Sequence, residues 1–257
     1  MKIWRYMDLV KFISLLSNRG LYFANTCSFK DPYEFYIPKI YTQELKNKRI
    51  EFITKYFENT KIIIEENKMT NPNRYNDVIN SIDKELAINI ANINNNAIEK
   101  EVRKKFAVSC WHINNYENEA LWKIYTNQGQ GIAIETSVEK LKESLQFHGK
   151  IIFDEVRYED FNTFTFEKNH KNYWLYIKRK AFEYEKEYRA IALLDEEYFG
   201  KGCYIKADLN ILIEKIHISP VMPKYFLDSI KYLCQGELSF LGDRIVHSKL
   251  YDEYERC

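Results

Sequence analysis

No glycine lies between Gly20 and Gly129, and the only prolines in that stretch are Pro32, Pro38 and Pro72. Glycine most readily supplies the positive φ of tight turns, so its absence disfavours a succession of hairpins and favours long helices. Residues 41–68 and 73–104 read as two such helices around the break Thr70-Asn71-Pro72-Asn73. In the second, Val78, Ile82, Leu86, Ile90, Ile93 and Ala97 recur at three- and four-residue spacing. Asn92, Asn94, Asn95 and Asn96 lower helix propensity near its end. The pair reads as a helical insertion, residues 41–104, within one domain spanning residues 1–257.

The remainder alternates short strands and helices. Strands are expected at 2–6, 21–25, 105–111, 132–135, 151–158, 188–194, 203–207 and 215–219. Helices are expected at 8–17, 118–126, 138–145, 166–182 and 224–234, with Ser137 capping the third. This is an α+β chain with a mixed, largely antiparallel sheet of about eight short strands and surrounding helices.

The formal net charge of +1 gives no overall basic face for nucleic acid. Cys27, Cys110, Cys203, Cys234 and Cys257 are scattered, without a C-x-x-C pair. An odd, dispersed set points to reduced thiols and a cytoplasmic protein, with neither a disulfide framework nor a zinc site. Asp8 and Lys11 interrupt the apolar N-terminal run, so no signal peptide is expected. No apolar segment approaches membrane-spanning length, so no membrane partner is expected.

The densest chemistry sits in Lys178-Arg179-Lys180-Ala181-Phe182-Glu183-Tyr184-Glu185-Lys186-Glu187-Tyr188-Arg189, just before the apolar run Ala190-Ile191-Ala192-Leu193-Leu194. Charge at the mouth of a buried strand is costly unless paired or functional. A strand beginning near Glu185 would place Glu185, Glu187 and Arg189 on one face, with Tyr184, Tyr188 and Ala190 on the other. Such a row is either a salt-bridged knot or the wall of a site.

Other segments carry weaker signals. Asp31 and Glu34 flank a proline-fixed turn after a strand, where they serve as a turn cap and a solvated charge or as cleft carboxylates. Cys110 and His112 share a strand face but have no visible third group to orient the pair, so Cys110 reads as structural. Leu121, Trp122 and Tyr125 form an aromatic stripe with core packing as its default. Gly129-Gln130-Gly131 follows a helix and lacks a third glycine, so it is no dinucleotide fingerprint. His148, His170, His217 and His247 are isolated, and no histidine metal centre is expected.

Taken in order, the segments resemble a bacterial family known as domain of unknown function 2971. The resemblance rests on Trp4-Arg5-Tyr6, Leu21-Tyr22-Phe23-Ala24, Phe29-Lys30-Asp31-Pro32-Tyr33-Glu34 and Val108-Ser109-Cys110-Trp111. It continues through Ala120-Leu121-Trp122-Lys123-Ile124-Tyr125, Gly131-Ile132-Ala133-Ile134-Glu135 and Val156-Arg157-Tyr158. The sharpest piece is the run from Lys180 to Arg189. The family usually has Trp at Phe182 and Asn at Lys30. The resemblance implies a shared fold and a common site. Proteins of this general type look like effectors of bacterial mobile elements and antiviral defence islands, toxins among them, working with a partner protein of the same system.

Three functions fit the residues. The leading one is an ADP-ribosyltransferase-like enzyme with NAD as substrate, because Arg5, Ser109 and the Glu185-x-Glu187 pair follow the Arg–Ser–Glu order of such transferases. Glu187, Glu185 and Ser109 are then catalytic, and Arg5, Tyr22, Trp111 and Tyr125 bind the dinucleotide, with Tyr22, Trp111 or Tyr125 stacking on nicotinamide. A protein or nucleic acid is the acceptor. A carboxylate would stabilise the oxocarbenium-like state and an arginine would hold the pyrophosphate. The second is a Mg²⁺-dependent nuclease or phosphodiesterase, with Asp31, Glu34, Glu185 and Glu187 on the metal and Lys178 or Lys180 on phosphate. The third is a non-catalytic sensor or interaction protein of a defence system, in which the acids pair with Arg5 and Arg189.

Overall fold

The computed structural model describes residues 1–66, 72–164, 173–194 and 200–252. The strands are β1 (Lys2–Met7), β2 (Gly20–Asn25), β3 (Phe106–Ile113), β4 (Ile132–Ser137), β5 (Leu145–Gln146), β6 (Lys150–Glu155), β7 (Arg157–Glu159), β8 (Ile177–Arg179), β9 (Glu187–Leu193), β10 (Gly202–Ala207), β11 (Lys215–Ile218) and β12 (Ile245–His247). The α-helices are α1 (Leu9–Asn18), α2 (Lys39–Glu66), α3 (Pro72–Ala91), α4 (Asn95–Lys104), α5 (Glu119–Tyr125), α6 (Val138–Ser144), α7 (Leu209–Leu212) and α8 (Lys224–Leu233).

The fold is α+β. Among the described residues, ten strands form one sheet, in the order β12-β11-β4-β1-β3-β2-β10-β5, with β9 on β3 and β6 on β9. All its pairings are antiparallel except β11 with β12, and β7 and β8 form a separate parallel pair. The larger core buries Phe12, Leu15, Leu21, Phe23, Trp111 and Ala190 on one face. On the other face Phe35, Ile37, Val108, Trp174 and Ile191 form a second core. Trp4, Tyr6, Leu121 and Trp122 form a third cluster under α5.

The described part of residues 41–104 is helical and supplies no strand. The single long helix expected at 73–104 is two helices. Asn94 breaks it by capping α4, its side chain accepting from Ala97 N at 2.7 Å, which is the preference that lowers asparagine inside helices. Arg49 pairs with Glu101 at 3.0 Å to tie α4 to α2.

Two expectations need correction. The helix expected at 166–182 is absent over its described part, where Tyr173–Tyr176 is a 3₁₀ turn, β8 follows, and Lys180–Glu185 is a second 3₁₀ turn; residues 165–172 lie outside the described residues. Trp174, Leu175, Tyr176 and Ile177 are buried in succession, and a continuous apolar run does not separate a buried helix from other structure by period. The Leu175 carbonyl also accepts from Arg189 Nη1 at 2.7 Å, which a continuing helix would have claimed. The strand expected at 151–158 ends at Glu155, because β7 turns away to pair with β8.

One feature of the sheet positions the site. β9 occupies the whole of one edge of β3. The opposite edge is shared: β1 pairs at His112 and Ile113, and β2 at Ala107 and Val108. Residues 109–111 pair with neither, so the sheet is split there, with α1 joining the strands on either side.

Candidate functional site in the split of the sheet

A cavity of about 740 Å³ opens at this split, within the range of small-molecule sites. Its lining includes Arg5, Tyr22, Trp111, Tyr125, Lys178, Glu185 and Glu187. Seven of the expected site residues therefore meet around one space.

Arg5 spans the split. Its Nη1 donates to Ser109 Oγ at 2.6 Å and its Nη2 to the Tyr22 carbonyl at 3.0 Å. Trp111 Nε1 also donates to Ser109 Oγ, at 3.1 Å, so both acceptor lone pairs of that hydroxyl are used. Ser109 is fully buried, outside the cavity lining, and meets the site through its bonds with Arg5 and Trp111. Two of the guanidinium's five N–H donors are thus accounted for. Burial pushes Arg5 down to about 10, which leaves it cationic at neutral pH.

Across β3 lies an acid cluster. Lys178 Nζ reaches Glu187 at 2.6 Å, Glu185 at 2.7 Å and Glu34 at 3.4 Å. Arg189, with no solvent exposure, donates from Nε to Glu187 at 2.7 Å and from Nη2 to Glu34. Its guanidinium also lies over the Phe35 ring, 4.6 Å from the centroid. Two left-handed residues build this arrangement. Phe35, at φ 57°, turns the chain so that Glu34 points inward and the Phe35 ring lies under Arg189. Lys186, at φ 41°, lets Glu185 leave its 3₁₀ turn and still meet the same ammonium as Glu187, the first residue of β9. Non-glycine residues rarely adopt such φ without strong local constraint.

With Glu185 ionised, three carboxylates against two cations leave one negative charge in excess. Burial raises Glu185, and hydrogen bonding with and repulsion from Glu187 raise it further, to about 7. Burial acts on Glu187 in the same sense. There Arg189, the bond with Glu185, and Lys178 outweigh it and hold this carboxyl below the usual carboxylate range. The Lys178 ammonium loses stability through burial but is held above its ordinary range by Glu187, Glu34 and Glu185. Burial, together with Glu185 and Glu187, raises the Tyr125 phenol.

The other expected residues lie further out. Asp31 pairs with Arg179 at 2.8 Å, while its neighbour Glu34 reaches the β9 cluster. Lys180 is exposed and outside the lining. Burial pushes the Cys110 thiol up, which removes the thiolate a nucleophile needs.

Two lining residues, His112 and Tyr204, lay outside the expected site. His112 Nδ1 sits 2.6 Å from the Glu185 carbonyl and carries the proton of that bond; its backbone lies opposite Glu187 in the β3–β9 register. The orienting partner is a main-chain atom, which no side-chain pattern reveals. Tyr204 lies cross-strand from Tyr22, with ring centroids 5.2 Å apart. One tyrosine among 20 carries no signal of its own.

The molecule is thus an α+β protein whose split sheet holds a guanidinium on one side of a cavity and a carboxylate-rich ion-pair cluster on the other. Residues 121–190 match the model of a family described as a protein of unknown function (DUF2971), in agreement with the resemblance. That span holds Tyr125, Lys178, Glu185, Glu187 and Arg189; Arg5, Tyr22, Ser109 and Trp111 precede it. It also holds Val156 and Tyr158, which fix the start of β9: Val156 N donates to the Glu187 carbonyl at 2.9 Å, and Glu187 N donates to Tyr158 Oη at 2.7 Å. No curated protein and no solved structure matches the chain. No described helix is long and apolar enough to cross a membrane.

Proposed function

We propose that the cavity binds NAD and that the chain transfers ADP-ribose to a protein or nucleic-acid acceptor. The observation that carries this reading is the placement of Arg5, across the split on Ser109, facing a cavity whose far wall is Glu185 and Glu187. The arrangement suits a ligand with an anionic middle and a sugar that becomes cationic. The Arg5 donors left beyond Ser109 and Tyr22 would hold the pyrophosphate. In the step itself the nicotinamide–ribose bond breaks and its electron pair leaves with nicotinamide, which departs neutral. The excess negative charge of the cluster stabilises the oxocarbenium-like carbon. The acceptor's lone pair bonds to that carbon, and its proton passes to Glu185, which near pH 7 is available as a base. Glu187, fixed between Lys178 and Arg189, supplies charge and position.

The magnesium reading fits less well. Lys178 Nζ stands where a bridging cation would stand, within 3.4 Å of three carboxylates. Among the described residues no group of three His, Cys, Asp or Glu has metal-holding geometry. A second reading does have a specific observation behind it. Glu34, Arg189 and the inner oxygen of Glu187 form a buried, fully bridged knot, as a non-catalytic protein would require. Incubation with NAD and candidate acceptors, following nicotinamide release, separates the two. Release that depends on Glu185 supports the transferase. No release from NAD alone or with any acceptor class returns the cluster to a structural role.

A further inference from the structure

Tyr22 and Tyr204 form an L-shaped aromatic corner, their rings inclined at 61°. Both line the cavity, and Tyr204 is 41% exposed. The corner is held from two sides. Ser14 on α1 hydrogen-bonds the Tyr204 hydroxyl. Beneath, the Tyr22 ring covers Gly202, where any Cβ would overlap it. A side chain at Gly202 would therefore displace Tyr22, so the bare backbone there is part of the corner.

The position is as informative as the geometry. β9, β3, β2 and β10 follow one another across the sheet, with the split opening between β3 and Tyr22, so Tyr204 lies more than three strand spacings from Glu187, upward of roughly 14 Å. Arg5 stands between them, bonded to the Tyr22 carbonyl. The cavity thus has a carboxylate end, a guanidinium in the middle and an aromatic end. An amphipathic aromatic surface at the end remote from the carboxylates suits a planar heterocycle, because every nucleobase offers a π-face.

We infer that Tyr204, together with Tyr22, is the base subsite of this cavity and takes the adenine of the dinucleotide, leaving nicotinamide at the carboxylate end. This rests on the NAD reading above for the choice of ligand and adds its orientation, which moves Tyr22 from the nicotinamide to the adenine end. Tyr204 is a specificity-determining residue rather than a catalytic one, since it lies far from the scissile bond.

The test uses two half-ligands and calorimetry on the full chain. AMP is the adenine-bearing half of the dinucleotide, and nicotinamide mononucleotide is the other, each with its ribose and phosphate. Tyr204→Ala is expected to weaken AMP by about tenfold, the scale of base–aromatic stacking, and to leave nicotinamide mononucleotide within twofold of the wild type. Tyr204→Phe keeps the ring and is expected to keep AMP affinity although the Ser14 bond is lost. A thermal melt of each variant checks that the fold is intact. The inference is overturned if AMP does not bind the wild type, if Tyr204→Ala leaves AMP unchanged, or if it weakens nicotinamide mononucleotide as much as AMP. Nicotinamide release from NAD is read separately. AMP binding that depends on Tyr204, in a protein that leaves NAD uncleaved, keeps the base subsite and removes the transferase reaction.

Discussion

Arg5 Nη1 lies 2.6 Å from Ser109 Oγ across a gap where β3 has lost its neighbours on one edge. The hydroxyl accepts a second hydrogen bond from Trp111. Ser109→Ala removes the acceptor that Arg5 and Trp111 share, leaving the buried Trp111 donor and a half-buried Arg5 donor without it. The expected destabilisation is about 1–3 kcal/mol, seen as a lower melting temperature. A misaimed Arg5 should raise the KM for NAD more than it lowers kcat.

Arg189 is the structural keystone of the acid cluster. Arg189→Ala strands Glu187 and Glu34 in the core, at a cost of about 3–5 kcal/mol. Denaturant titration should show that loss whether or not the protein is an enzyme. Glu187→Gln keeps the side chain's shape and should leave a folded protein with abolished activity; an active Glu187→Gln would make Glu187 an ion-pair member only.

The fold was legible where one physical signal dominated. The glycine-free run announced helices, and alternation in β9 placed Glu187 and Arg189 on one face and Tyr188 and Ala190 on the other, as the two cores record. The candidate site was legible as residue types in order: Arg5, Tyr22, Trp111, Tyr125, Lys178, Glu185 and Glu187 line one cavity. What escaped was set by non-local backbone. Over residues 173–182 a continuous apolar run carries no period that separates helix from other structure, and the carbonyls and 3₁₀ turns there serve Arg189 and Glu185. The split of the sheet depends on where β1 and β2 part from β3, and no local pattern encodes that.

The two cavity glutamates should give opposite pH signatures. Glu185 is raised from an ordinary 4.5 to about 7, so the folded state holds its proton more tightly than the unfolded chain. Its stabilising contribution is complete below pH 4.5 and lost as pH rises to about 7. Glu187 is depressed, so its contribution is present above pH 4.5 and lost in acid. Melting temperature should rise as pH falls from about 7 toward 5 and drop below 4.5. Glu185→Gln should flatten the upper limb and leave the lower one; an unchanged upper limb would assign it to another group.

Gly202→Ala links stability to the site. A methyl group there overlaps the Phe23 carbonyl and the Tyr22 ring. Overpacking of this kind costs about 1–3 kcal/mol. A melt should show that loss, and AMP affinity should fall with it as Tyr22 is displaced.

The most direct measurement follows nicotinamide released from NAD across pH 5.5–8.5 by wild type and Glu185→Gln, with protein and nucleic-acid acceptors supplied. If Glu185 is the base, release by the wild type climbs through an apparent pKa of about 7, and Glu185→Gln loses at least a hundredfold, the lower range of general-base contributions. Equal release by both proteins, or none by the wild type with any acceptor, would contradict the account and leave the cluster as the ion-pair core of a binding protein.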